Sequence, residues 1–114
     1  MHELSLAGGI LQLVEDSAQR EGFRRVSKLR VEAGALSGVD VHALRFALDA
    51  IKRGTLLDAA EVTIEQPAGR AYCFDCGQDV PLASRGEACP SCGSYRLQPT
   101  SGIQLRVLDM SVHD

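Results

Sequence analysis

The chain has 114 residues and a mass of 12.2 kDa, which caps it at one ordinary domain or two very small ones. Its 45% hydrophobic and 24% charged residues exclude a disordered tail, a collagen-like repeat and a coiled coil. A net charge of −3 argues against a nucleic-acid binder that works by phosphate neutralisation.

The core is expected to be thin, because the chain has two Tyr, three Phe and no Trp. No run of about 18 apolar residues is present, so no membrane span is expected. Met1-His2-Glu3 lacks the basic and apolar regions of a signal peptide, which points to a cytoplasmic protein. In that compartment four cysteines serve a metal more readily than disulfides.

In chain order, Ala7, Ile10, Leu11, Val14 and Ala18 recur at helical spacing and Gly22 is a natural stop. Gly8-Gly9 weakens this helix by about 1 kcal/mol per glycine against Ala and loosens its first turn. Leu29, Val31 and Ala33 alternate with Lys28, Arg30 and Glu32 as in a strand buried on one face, and residues 34–38 read as a loop. Asp40 or Ser37 caps a second helix whose apolar face is Val41, Leu44, Leu48 and Ile51, ended by Gly54. Val62 and Ile64 mark a second strand. Ile103, Leu105 and Val107 begin a third, whose inward set continues at Met110 and Val112 after a bulge near Leu108-Asp109.

All four prolines and all four cysteines fall between Pro67 and Pro99. This shift in composition divides the chain into an α/β domain of residues 1–67 and 102–114 and an inserted ribbon of residues 68–101. The fold class is α+β: two helices on a small three-stranded mixed sheet, with a four-cysteine zinc ribbon inserted before the last strand.

Cys73-Phe74-Asp75-Cys76-Gly77 and Cys89-Pro90-Ser91-Cys92-Gly93 are two Cys-x-x-Cys-Gly knuckles with twelve residues between Cys76 and Cys89. Two intervening residues let both sulfurs of a turn face one ion. The glycine takes the positive φ that turns backbone N–H groups back toward the sulfurs. Cys73, Cys76, Cys89 and Cys92 then form a tetrahedral S4 site suited to Zn2+, with iron as the nearer competitor. Four protein sulfurs leave no open position, so this site is structural, and it folds a ribbon too small to fold alone. Nucleic-acid binding is not expected of the ribbon, since Arg70, Arg85 and Arg96 balance Asp75, Asp79 and Glu87.

Met1-His2-Glu3 collects an amine, backbone nitrogens, an imidazole and a carboxylate. Initiator Met is generally removed only before small residues, so the Met1 amine stays beside His2. Amine, deprotonated amide and His2 Nδ1 close fused chelate rings on one ion, and nitrogen-rich planar ligation favours Ni2+ or Cu2+ over Zn2+. A solvated terminal histidine is the plainer alternative.

Several stretches together resemble the HypA/HybF nickel-insertion family. They are Met1-His2-Glu3-Leu4-Ser5, Arg30-Val31-Glu32-Ala33-Gly34, Leu44-Arg45-Phe46-Ala47, and Arg70-Ala71-Tyr72-Cys73 leading into the knuckles. The resemblance spans essentially the whole chain and implies a metallochaperone, not an enzyme. It implies transferable Ni2+ on Met1, His2 and Glu3, and structural Zn2+ on the four cysteines. The implied partners are a HypB-type GTPase and the [NiFe]-hydrogenase large subunit precursor, with no nucleic acid or membrane, for a monomer or homodimer. Asp40 stands where some relatives have a proposed nickel ligand, but its place before a helix favours the cap. Gly77 and Gly93 replace the histidines that follow the knuckles in some relatives, which puts their pH-responsive zinc site in doubt here. His42 and His113 read as surface residues. The alternative to a nickel carrier is a zinc-ribbon interaction module without a transferable metal.

Overall fold

The computed structural model describes residues 2–114. Two helices and six strands follow in the order α1 (Glu3–Glu21), β1 (Arg25–Ala33), α2 (Val41–Ile51), β2 (Glu61–Glu65), β3 (Gly69–Cys73), β4 (Asp79–Leu82), β5 (Leu97–Ser101) and β6 (Leu105–His113). The strands make two sheets, β2-β1-β6 and β4-β3-β5. The last strand therefore rejoins the first sheet after the cysteine segment, as the returning apolar pattern requires.

The chain divides into two compact units. The first comprises residues 1–31, 40–64 and 106–114, and the second residues 32–39 and 65–105. In the first unit, α1 buries Ala7, Ile10 and Val14 and ends at Gly22, whose φ of 80° closes a bond to the Ala18 carbonyl. Leu11 and Ala18, assigned by spacing to the same face, are only half-buried. Helix α2 begins at Asp40, whose carboxylate accepts the Ala43 N–H at 3.1 Å, and buries Leu44, Ala47 and Leu48. The two helices pack together, while β1 buries Val26, Leu29 and Val31.

Strand β6 runs antiparallel to β1, since Arg24 N–H donates to the His113 carbonyl and Arg30 forks onto Asp109 at 2.9 and 2.7 Å. The Arg30 guanidinium holds the Asp109 carboxyl below the usual carboxylate range. Burial along β6 changes phase between Val107 and Leu108, the region where the apolar spacing slips. Val112 and Ile103 are exposed, contrary to their inward assignment. Both lie near the ends of the apolar run, where alternation no longer reports on a covering layer.

In the second unit β3 is central and antiparallel to β4 and β5, with Ala71 opposite Val80 on one side and Pro99 on the other. Pro81 and Pro99 lie on the two edge strands, where a missing N–H breaks no interior ladder. One face buries Ala71, Leu82 and Leu36, with Leu97 against them. Leu36 belongs to the segment read as a plain loop, yet it is fully buried.

Candidate metal centres

The four cysteine sulfurs lie within 4.8 Å of one another. Cys73 and Cys92 are 3.6 Å apart and Cys76 and Cys89 3.9 Å apart. A tetrahedral ion with metal–sulfur bonds of about 2.3 Å spaces its ligands by about 3.8 Å, whereas a disulfide needs about 2.05 Å. The spacing fits a metal and not a pair of bridges.

Each knuckle is built the same way. Gly77 N–H donates to the Cys73 carbonyl and Gly93 N–H to the Cys89 carbonyl, both at 2.8 Å. Cys73 N–H reaches the Gln78 carbonyl at 2.9 Å, and Cys89 N–H the Ser94 carbonyl at 2.7 Å. The two glycines hold φ of 68° and 79°, a left-handed turn that a side chain would strain. The leading cysteine of each knuckle, Cys73 or Cys89, is buried; Cys76 is half-buried and Cys92 exposed.

The Cys76 N–H, followed by that of Asp75, draws the Cys73 thiol down to about 7 against the cost of burial. Burial, then the Cys73 sulfur, pushes Cys76 up to about 12. At Cys92 the Ser94 N–H pulls down, but the Cys73 sulfur and burial outweigh it and the thiol rises. One acid lowered and its neighbours raised is the behaviour of like groups competing for one site. Four adjacent thiolates need a cation to offset them, and a divalent ion supplies that charge.

At the other end of the chain, Met1 lies outside the described residues. His2 is exposed and forms the N-cap of α1, its carbonyl accepting Leu6 N–H at 2.8 Å. Glu3 is 7% exposed, and its Oε2 accepts the Asp40 N–H at 3.1 Å, so its carboxylate sits at the amino end of α2. Asp40 spends Oδ1 on the Ala43 N–H, the capping role read from the sequence. His42 is exposed on the first turn of α2, and His113 Nε2 meets Ser27 Oγ at 2.8 Å.

Against protein families, residues 1–112 match the model described as hydrogenase/urease nickel incorporation, metallochaperone, hypA. The chain belongs to the HypA family. A hydrogenase maturation factor HypA of Polaromonas naphthalenivorans is 62% identical over all of this chain and 99% of its own length. Another, from Cupriavidus necator, is 62% identical over all of this chain and 96% of its own. The solution structure of the Ni metallochaperone HypA from Helicobacter pylori shares the fold with a TM-score of 0.70 at 22% identity. It covers 99% of this chain and 98% of that one. Among the described residues, no helix is long and apolar enough to cross a membrane.

Sequence reasoning treats Asp75 and Arg96 only as compensating charges. The structure joins them: Arg96 Nη1 donates to Asp75 Oδ1 at 2.6 Å, and Ser94 Oγ donates to Asp75 Oδ2. The signal was an acid between the cysteines of one knuckle and a hydroxyl two residues beyond the other. Only the fold, which brings the two knuckles side by side, makes them neighbours.

Proposed function

We propose that this chain carries Ni2+ at its N-terminus and delivers it to the [NiFe]-hydrogenase large subunit precursor, working with a HypB-type GTPase in the cytoplasm. Met1, His2 and Glu3 form the nickel set, and Cys73, Cys76, Cys89 and Cys92 hold a resident structural zinc. The supporting names are those of the family and of its 62% identical relatives. The observation that carries the reading is the exposed His2 standing directly ahead of α1.

That position suits a transferable ion. Leu6 N–H is the donor that meets the His2 carbonyl, so the backbone nitrogens of His2 and Glu3 precede the helical ladder. A metal on those nitrogens breaks no helical hydrogen bond. An ion held at a chain end by few ligands is also released readily to an acceptor. Glu3, anchored by the Asp40 N–H, holds the start of α1 against α2 while its carboxylate supplies negative charge near the ion. The cysteine site, filled by four protein sulfurs, has no position left for cargo or for an activated water, so the chain acts as a carrier and not as a catalyst. It works as a monomer or a homodimer.

Nickel titration of untagged protein tests the reading. His2→Ala is expected to abolish tight nickel binding while one zinc per chain remains. A titration curve matching the parent overturns the assignment. If the untagged parent itself takes up no nickel, the ribbon is a protein-interaction module without cargo.

A further inference from the structure

The two knuckles are nearly equivalent in backbone but not in side chains. Both close through the same Gly-to-Cys and Cys-to-carbonyl hydrogen bonds. On one side, Asp75 of the first knuckle reaches Ser94 and Arg96, which follow the second knuckle. Its counterpart in the second knuckle is Ser91, and the counterpart of Ser94 is Gln78, a pair that offers neither a carboxylate nor a guanidinium.

The contacts reinforce one another. Arg96 N–H donates to Ser94 Oγ at 3.0 Å, fixing the hydroxyl that bonds Asp75. Phe74 N–H donates to the Arg96 carbonyl at 3.0 Å, so the same residue is tied to the first knuckle through its backbone and its side chain. Ser94 in turn offers its carbonyl to Cys89 N–H at 2.7 Å, carrying the link into the second pair of ligands. The Arg96 and Asp75 side chains are 70% and 42% exposed, so water screens their charges and the latch rests on the joined geometry of the contacts rather than on the ion pair alone. Arg96 also neutralises a carboxylate that otherwise adds to the charge of four neighbouring thiolates.

We propose that Asp75 is a positioning residue of the four-cysteine site, latching the first knuckle to the second so that the resident ion is retained and transported nickel is kept out. The proposal rests on reading these cysteines as a zinc site. Zinc takes four sulfurs tetrahedrally, which the 3.6 and 3.9 Å sulfur spacings suit, while Ni2+ favours a planar set. Passing from one arrangement to the other turns one knuckle against its neighbour. The Asp75 bonds to Ser94 and Arg96 span that joint, so they resist both opening and flattening.

The test uses the full untagged chain and begins with its metal content. Zinc transfer to a chromophoric chelator is then timed for the parent, Asp75→Ala, Asp75→Asn and Ser94→Ala. Nickel entry is read as thiolate-to-nickel charge-transfer absorption, with His2→Ala in the background to remove the terminal site. Asp75→Ala is expected to release zinc roughly tenfold faster, a usual scale for losing a partner around metal ligands. It also gains the nickel–thiolate bands that the latched chain lacks. Asp75→Asn and Ser94→Ala, the milder changes, fall between and keep the proposal testable if Asp75→Ala does not fold. Release rates within twofold of the parent, without nickel–thiolate bands, overturn the latch alone. A parent chain that carries no zinc overturns the resident-ion reading and the latch with it.

Discussion

Gly34 shows how one residue can decide a backbone path. A Cβ added there would lie 2.1 Å from the Gly102 carbonyl oxygen, closer than real contacts allow, and the obstacle is main chain that cannot rotate away. Around this point Gly34 N–H donates to the Gln104 carbonyl at 3.0 Å, and Leu36 N–H to the Gly102 carbonyl at 2.8 Å. Gly34→Ala is therefore expected to cost at least about 2 kcal/mol. Thermal melting of the zinc-loaded chain checks this, and an unchanged midpoint refutes the close approach. The sequence marks Gly34 as the start of a loop, which is true but incomplete, because nothing local reveals that it approaches Gly102. The cysteines are different. Their chemistry and spacing are local, so the cluster of four cysteine sulfurs is legible in the sequence itself. Asp40 is likewise legible, since a cap acts three residues away.

At the scale of elements, α1 reads as continuous helix through Gly8 and Gly9. Both are exposed, and a methyl at either position meets nothing within 4 Å. Gly8→Ala or Gly9→Ala should stabilise the helix by about 1 kcal/mol each, the propensity difference alone. Chemical denaturation followed by helical circular dichroism measures it, and a loss of stability would mean these faces are covered in solution. If a loose helix end aids nickel release, the paired substitution also slows transfer to a chelator without changing the ligands. The helices were legible because burial repeats at the helical period, as at Ala7, Ile10 and Val14. Phe46 escapes that logic. It is 78% exposed between buried Leu44 and Ala47, and its apolar character says nothing about which way it faces. Leu36 is the converse, a buried side chain in a segment with no period to read.

The whole molecule combines two ways of holding a fold. The first compact unit contains both helices and buries Leu29, Leu44, Leu48, Leu57 and Val14 among its largest side chains. In the second, one buried cluster is Leu36, Ala71 and Leu82, and the other is Cys73, Val80 and Cys89, in which cysteines of the candidate metal site double as core. Without an ion, Cys76, pushed up to about 12 by burial, stays a protonated thiol at neutral pH, and nothing remains to draw four sulfurs together if the proposed zinc is removed. On the proposed zinc reading, metal binding is folding free energy for this unit, while the cysteine cluster lies outside the first unit. A strong chelator is expected to leave the helical circular dichroism near its starting value, since α1 and α2 lie wholly in the first unit. Amide exchange over residues 69–101 rises sharply in the same sample, and adding Zn2+ back restores protection. Retained protection in β3–β5 after complete metal removal would show that Leu36, Ala71, Leu82 and the Asp75 contacts suffice to hold the ribbon. Simultaneous loss of the helical signal would show that the two units share one cooperative transition.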